Sequence, residues 1–172
     1  MPDMLEQALQ GARLLYAYTM YIEAPLEHVF RFTGDPDYWA RDFEGTPLPR
    51  LKLLWEGHPY RPGSIMVLAP LRKDGTPTPV GAVRMELLGY DEYHELAFRF
   101  LTGNHLIYRF TYRRAAPTRT EFTVNVLVDA QSSFFNTLRQ RLYAGRRRRD
   151  SIRDHLRIKA ELEARAGRAR AS

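Results

Sequence analysis

Apolar and polar residues alternate through most of residues 17–128, and short clusters of turn residues break the alternation at intervals. Residues 17–23 put Tyr18, Met20 and Ile22 on one face and Thr19, Tyr21 and Glu23 on the other, the pattern of a half-buried strand. Ala24-Pro25 ends it, and Pro25 suits a first helical turn, where its missing N–H would have no partner anyway. Leu26, Val29, Phe30 and Thr33 then form a short helical stripe, and Asp35-Pro36-Asp37 caps a second short helix carrying Tyr38 and Trp39. Ahead of the strand, residues 4–15 read as a helical lead-in.

Six further strand patterns follow. Leu51, Leu53 and Trp55 alternate with Lys52 and Glu56, and residues 64–71 form a nearly continuous apolar run closed by the loop at residues 73–77. Val83, Met85 and Leu87 form the next inward set, followed by Leu96, Phe98 and Phe100. Tyr108, Phe110 and Tyr112 come after these, and Phe122, Val124, Val126 and Val128 complete the series. Gly103-Asn104 marks a tight reversal, which favours an antiparallel hairpin. Short loops and clean alternation predict an antiparallel sheet with one face toward water.

At Ser132 the period changes. Phe134, Phe135, Leu138 and Leu142 recur at helical spacing, and Ile152 and Leu156 return to the same stripe, so this stripe is expected to lie on the sheet. Ser132 or Ser133 can cap the start, and Gly167, among Arg165, Arg168 and Arg170, is the expected stop. At ~1.5 Å per residue the helix would span about 50 Å, so its far end is expected to project past the core.

Composition narrows the class. One domain is expected for 172 residues, and 44% hydrophobic and 12% aromatic residues suit a folded globular chain. The absence of cysteine excludes disulfides and thiolate metal sites. Residues 1–13 lack the apolar run of a signal peptide and no stretch is long and apolar enough for a membrane span, so a cytoplasmic location is expected. The net charge of +6 is uneven: residues 139–172 hold twelve Arg/Lys against four Asp/Glu, while residues 1–138 hold fourteen against sixteen. Only Lys52, Lys73 and Lys159 among the 26 basic residues are lysines, so the arginine preference runs along the whole chain.

The segment Tyr21-Ile22-Glu23-Ala24-Pro25-Leu26-Glu27-His28-Val29-Phe30, followed by Asp35-Pro36-Asp37-Tyr38-Trp39, resembles the strand-to-helix junction of the START/Bet v 1-like (SRPBCC) superfamily, which includes bacterial polyketide cyclase/dehydrase-type proteins. With the order of elements, the resemblance covers roughly residues 14–163. It implies an α+β helix-grip: a curved antiparallel sheet with two short helices, wrapped around a long C-terminal helix, with a cavity between. The chain then divides into a lead-in (residues 1–13), one START/Bet v 1-like domain (residues 14–166) and a basic tail (residues 167–172). The helix departs from the resemblance by its length and its arginines.

The function expected from this is binding of a small hydrophobic or amphipathic ligand, such as a lipid, polyketide or isoprenoid-like molecule. The expected walls are Trp55, Met85, Leu87, Phe98, Phe100, Tyr108, Phe110, Val124 and Val126 from the sheet, with Phe135, Leu138 and Leu142 from the helix. Each of these residues also suits an ordinary core position. Gly145, farther along the same stripe, falls at a cavity rim or at the surface. The alternative is a cyclase/dehydrase-type enzyme using the same cavity, with Tyr108 and Tyr112 as candidate acids. No metal or other cofactor is expected, because the five histidines have no ligand spacing, no serine sits in a nucleophile elbow and no glycine-rich loop can cradle a phosphate. A third class is an interaction protein working through Arg146, Arg147, Arg148 and Arg149 as a site for nucleic acid or anionic membrane. Four successive arginines point in four directions around a helix, so they do not form one docking face. Arg148 or Arg149 is expected beside the apolar stripe, with Asp150, Asp154, Glu161 and Glu163 as ion-pair partners.

Overall fold

A computed structural model of the protein describes residues 3–39, 51–102 and 105–171. Along the chain run α1 (Met4–Leu9), β1 (Arg13–Ile22), α2 (Leu26–Thr33) and α3 (Pro36–Trp39). They are followed by β2 (Leu51–Glu56), β3 (Ile65–Pro70), β4 (Val83–Asp91), β5 (Glu95–Phe100), β6 (Leu106–Ala116), β7 (Arg119–Val128) and α4 (Phe134–Ala171). All seven strands form one curved sheet in the order β1-β7-β6-β5-β4-β3-β2, and every neighbouring pair is antiparallel. The expected reversal at Gly103-Asn104 lies outside the described residues, but the strands it joins do pair antiparallel.

Two boundaries differ from expectation. The lead-in helix stops at Leu9, because Gly11 adopts a φ of 77° that turns the chain. The residues freed by that turn extend β1, whose Arg13 pairs with Val128. At the other end α4 runs through Gly167 to Ala171. A single exposed glycine costs about 1 kcal/mol relative to alanine, too little to stop a helix flanked by alanine and arginine. Ser133 caps the start as expected, with its Oγ accepting from the Asn136 N–H at 3.3 Å.

One face of the sheet carries the main core, built from alternate residues such as Ile22, Met66, Leu87, Phe98, Phe122 and Val124. The other face is not left wholly to water. α1 lies on it, packing Leu5 against Leu88, Ala97 and Ile107, and Gly89 makes room: a Cβ there would sit 3.1 Å from the Leu5 side chain. The rest of this face carries cross-strand ion pairs, Arg84–Glu56, Arg99–Glu86 and Arg113–Glu121 among them.

The face that α4 turns to the sheet is the main correction. Phe135, Leu138 and Leu142 are 82%, 47% and 75% exposed, so the expected stripe points away from the core. Gln140 is fully buried, Leu162 and Ala166 are buried, and Ser151, His155 and Ile158 are half-buried; all lie on the opposite side of the helix. The register is set by the second half of α4, which docks on β1 and α2. Lys159 Nζ donates to Tyr21 O, Glu163 Oε1 accepts from Glu23 N–H at 2.8 Å, and the Arg165 guanidinium lies over the Phe32 ring. These contacts come from residues about 140 positions apart, beyond the reach of helical periodicity. The buried end is therefore the far end, and the exposed apolar residues cluster at the start.

Candidate ligand site

The inward face of the sheet presents an aromatic wall. Phe98 stacks on Tyr108 (5.6 Å between centroids), Phe100 meets both edge-on, and Phe110 bridges Phe98 and Phe122. The structure places Trp55, Met85, Leu87, Phe98, Phe100, Tyr108, Phe110, Val124 and Val126 in or against the main core cluster on this face. Trp55, Phe100 and Tyr108 are only half-buried there.

The facing side of α4 is polar. Arg147, Ser151 and His155 recur every fourth residue, which stacks them along one side of a helix. Tyr18, on the inward face of β1, places its hydroxyl 2.6 Å from Ser151 Oγ and 2.6 Å from His155 Nδ1. His155 Nδ1 also lies 2.9 Å from the Ser151 carbonyl oxygen. A carbonyl only accepts, so this contact puts the imidazole proton on Nδ1 and leaves Nε2 as the basic nitrogen. Tyr16, two residues before Tyr18 on the same face, stacks on the Tyr18 ring with centroids 6.4 Å apart and lies near Tyr108 and Ser151. A chain of hydroxyls and imidazole thus links β1 and α4: Ser151, Tyr18, His155.

Burial sets the protonation of this chain. It raises the Tyr16 hydroxyl well above the ordinary phenol range, with Tyr108 adding to the effect, and pushes Tyr18 up to about 12. Burial lowers the His155 pKa, against the opposing pull of the Ser151 carbonyl. The imidazole is wedged among the rings of Tyr18, Phe110 and Phe122, with centroids 5.2–5.9 Å away. At neutral pH Tyr16, Tyr18 and His155 are therefore uncharged. Beside it the Nε of Arg147 is buried and has no hydrogen-bond partner among the described residues; the same holds for Trp55 Nε1 on β2.

A second polar knot lies at α3 and the β2–β3 loop. The Tyr60 hydroxyl donates to Asp35 Oδ1 (3.1 Å) and to Asp37, with its ring between Trp55 and Tyr90. Burial first, then these two carboxylates, raise its pKa beyond the ordinary phenol range.

Several expected site residues are placed elsewhere. Phe135, Leu138 and Leu142 leave the wall for the reasons of register given above. Tyr112 is buried under α2, hydrogen-bonded to Thr33 at 3.1 Å and stacked on Phe122, apart from the relay. Of the four arginines, Arg147 is the one on the sheet side, whereas Arg149 lies on the outer apolar stripe with Ile152 and Leu156. Sequence reasoning missed Tyr16, Tyr18, Gln140, Ser151 and His155 as a set. The signal was present in the spacing 147-151-155-158-162, a second helical stripe hidden because its first half is polar.

No protein-family model and no curated protein matches the chain. Solved structures do match. The Zhui aromatase/cyclase from Streptomyces sp. R1128 aligns with a TM-score of 0.58 at 19% identity, over 90% of this chain and 95% of that one. Ara h 8.0201 aligns at 0.55 and 14% identity, over 91% and 98%. One half of the di-domain ARO/CYC StfQ from the steffimycin biosynthetic pathway aligns at 0.57 and 12%, over 94% of this chain and 55% of that one. The architecture is therefore the helix-grip of START/Bet v 1-like (SRPBCC) proteins, in agreement with the junction motif at residues 21–30. At these identities the likeness establishes the fold. Among the described residues no helix is long and apolar enough to cross a membrane, and no group of His, Cys, Asp or Glu is arranged to hold a metal ion.

Proposed function

We propose that the protein binds a small amphipathic molecule, a lipid-, polyketide- or isoprenoid-like ligand, between the inward face of the sheet and α4. The observation that carries this reading is the split in polarity across the site. The sheet wall is aromatic and half-buried at Trp55, Phe100 and Tyr108, while the facing side of α4 offers Arg147, Ser151 and His155. A helix held there by packing alone would present aliphatic side chains. Buried polar atoms without partners are costly, and the Arg147 Nε is such an atom. The guest's apolar body would lie on the aromatic wall and its acceptor end, a carboxylate or polarised carbonyl, would meet Arg147 and the relay. The relatives in fold include aromatase/cyclases, which agrees with a ligand of this kind.

Native mass spectrometry of freshly purified protein, compared with its denatured mass, tests the reading. An extra mass lost on denaturation is expected. A folded protein that carries no adduct and takes up neither fatty acids nor aromatic polyketides overturns it. Arg147→Met is expected to weaken a carboxylate-bearing ligand about tenfold or more, and its uncharged ester much less.

A second reading has its own observation, the Tyr18–Ser151–His155 relay. It is the arrangement that a cyclase/dehydrase-type enzyme needs: neutral His155 as base through Nε2, and a tyrosine hydroxyl to polarise a carbonyl. His155→Gln would then abolish turnover of a poly-ketone substrate while its adduct in the mass spectrum persists.

A further inference from the structure

A packed helix ordinarily gives water its polar face. On α4 the outward side is instead apolar along its first half: Phe134, Phe135, Leu138 and Leu142 are all exposed, and Ile152 and Leu156 continue the stripe along a shallow groove. The stripe is flanked by cations. At 3.6 residues per turn Arg139, Arg146 and Arg153 fall on one side of it, Arg141 and Arg148 on the other, and Arg149 lies within it. Two of these share one carboxylate, Asp150, which lies 3.9 Å from Arg146 and 2.8 Å from Arg153. Arg141, Arg148 and Arg149 have no ion pair with a carboxylate among the described residues. The whole positive surplus of the chain sits on this segment, twelve basic against four acidic residues, while residues 1–138 are slightly acidic.

We propose that the outer face of α4 docks on an anionic lipid surface, lying in its plane with Phe135, Leu138 and Leu142 in the headgroup–acyl boundary and the flanking arginines on lipid phosphates. Charge selects this occupant. A second copy of the chain would bring two arginine-bordered stripes together, with Gly145 and Arg149 interrupting the seam where a helix pair needs side chains to interlock. A polyanion such as RNA would use the arginines but would leave the aliphatic members of the stripe, Leu138, Leu142, Ile152 and Leu156, without an apolar partner. A bilayer uses both: apolar burial and attraction to anionic headgroups add, at roughly 1 kcal/mol per basic side chain near the surface. The ligand site lies on the opposite side of the same helix, so the two faces are separately testable.

The test is flotation of the full chain with phosphatidylglycerol/phosphatidylcholine vesicles and with pure phosphatidylcholine vesicles, together with sedimentation velocity of the protein alone. Expected are binding to the anionic vesicles only, and a loss of about tenfold or more in Phe135→Ser/Leu142→Ser and in Arg146→Gln/Arg149→Gln/Arg153→Gln. Both variants alter exposed residues and are expected to keep the parental melting temperature. Four outcomes overturn the proposal: no flotation with anionic vesicles, equal flotation with both lipids, anionic binding that survives Phe135→Ser/Leu142→Ser, or a dimer in solution that the same substitutions dissolve.

Discussion

His155 shows how one side chain joins the site to the stability of the fold. Its ring is enclosed by Tyr18, Phe110 and Phe122, and burial lowers its pKa below the ordinary imidazole value. The unfolded chain then binds the proton more tightly than the folded one. Stability from this group is complete above an unfolded pKa of about 6.5 and is lost as the pH falls below it toward the folded pKa. Melting temperatures measured between pH ~7.5 and ~5 are expected to fall on acidification, with a shallower slope in His155→Gln. An unchanged slope would show that the imidazole is not shielded as described. The same shielding keeps the imidazole neutral at working pH, which either reading of the site requires.

At the scale of the element, α4 has two apolar stripes competing for the sheet. One is rich in Phe and Leu near the start, and the other continues from Arg147, Ser151 and His155 into Ile158, Leu162 and Ala166. The second wins because Glu163, Lys159 and Arg165 fix the later turns on Glu23, Tyr21 and Phe32. Substitution reads this choice directly. Leu162→Ala is expected to cost about 2–4 kcal/mol in denaturant unfolding, as for a buried leucine. Leu142→Ala is expected to stay within about 0.5 kcal/mol. The reverse ranking would place the Phe/Leu stripe on the sheet after all.

For the whole molecule, a continuous sheet and one long helix create two surfaces of opposite character, an inward side with aromatic and polar groups and an outward side with apolar residues between arginines. A ligand that binds only the folded state at ~100 times its dissociation constant stabilises by about 2.7 kcal/mol, which for a domain of this size raises Tm by about 5–10 °C. That shift is expected to be the same in Phe135→Ser/Leu142→Ser as in the parent, because those side chains face away from the site. A shift lost in the variant would mean that the outer stripe belongs to the ligand site.

The strands, their antiparallel order and the long terminal helix follow from local chemistry that any stretch of the chain carries with it. Alternation at Phe98–Phe100 or Val124–Val126 needs only neighbours to define a face, and Pro25 and Ser133 punctuate helices through their own backbone and side-chain bonds. The nine sheet residues expected on the inward wall lie on the inward core side for that reason. The face of α4 is a different kind of fact. Periodicity gives a helix its stripes but does not rank two of them, and the richer stripe lost to contacts made with residues 21–32. Tertiary structure alone therefore decided that Ser151 and His155 meet Tyr18 in the interior, and that Phe135 and Leu142 are left facing outward. Their chemistry was legible in the sequence, but which of them would meet depended on distances through space that the order of residues does not contain.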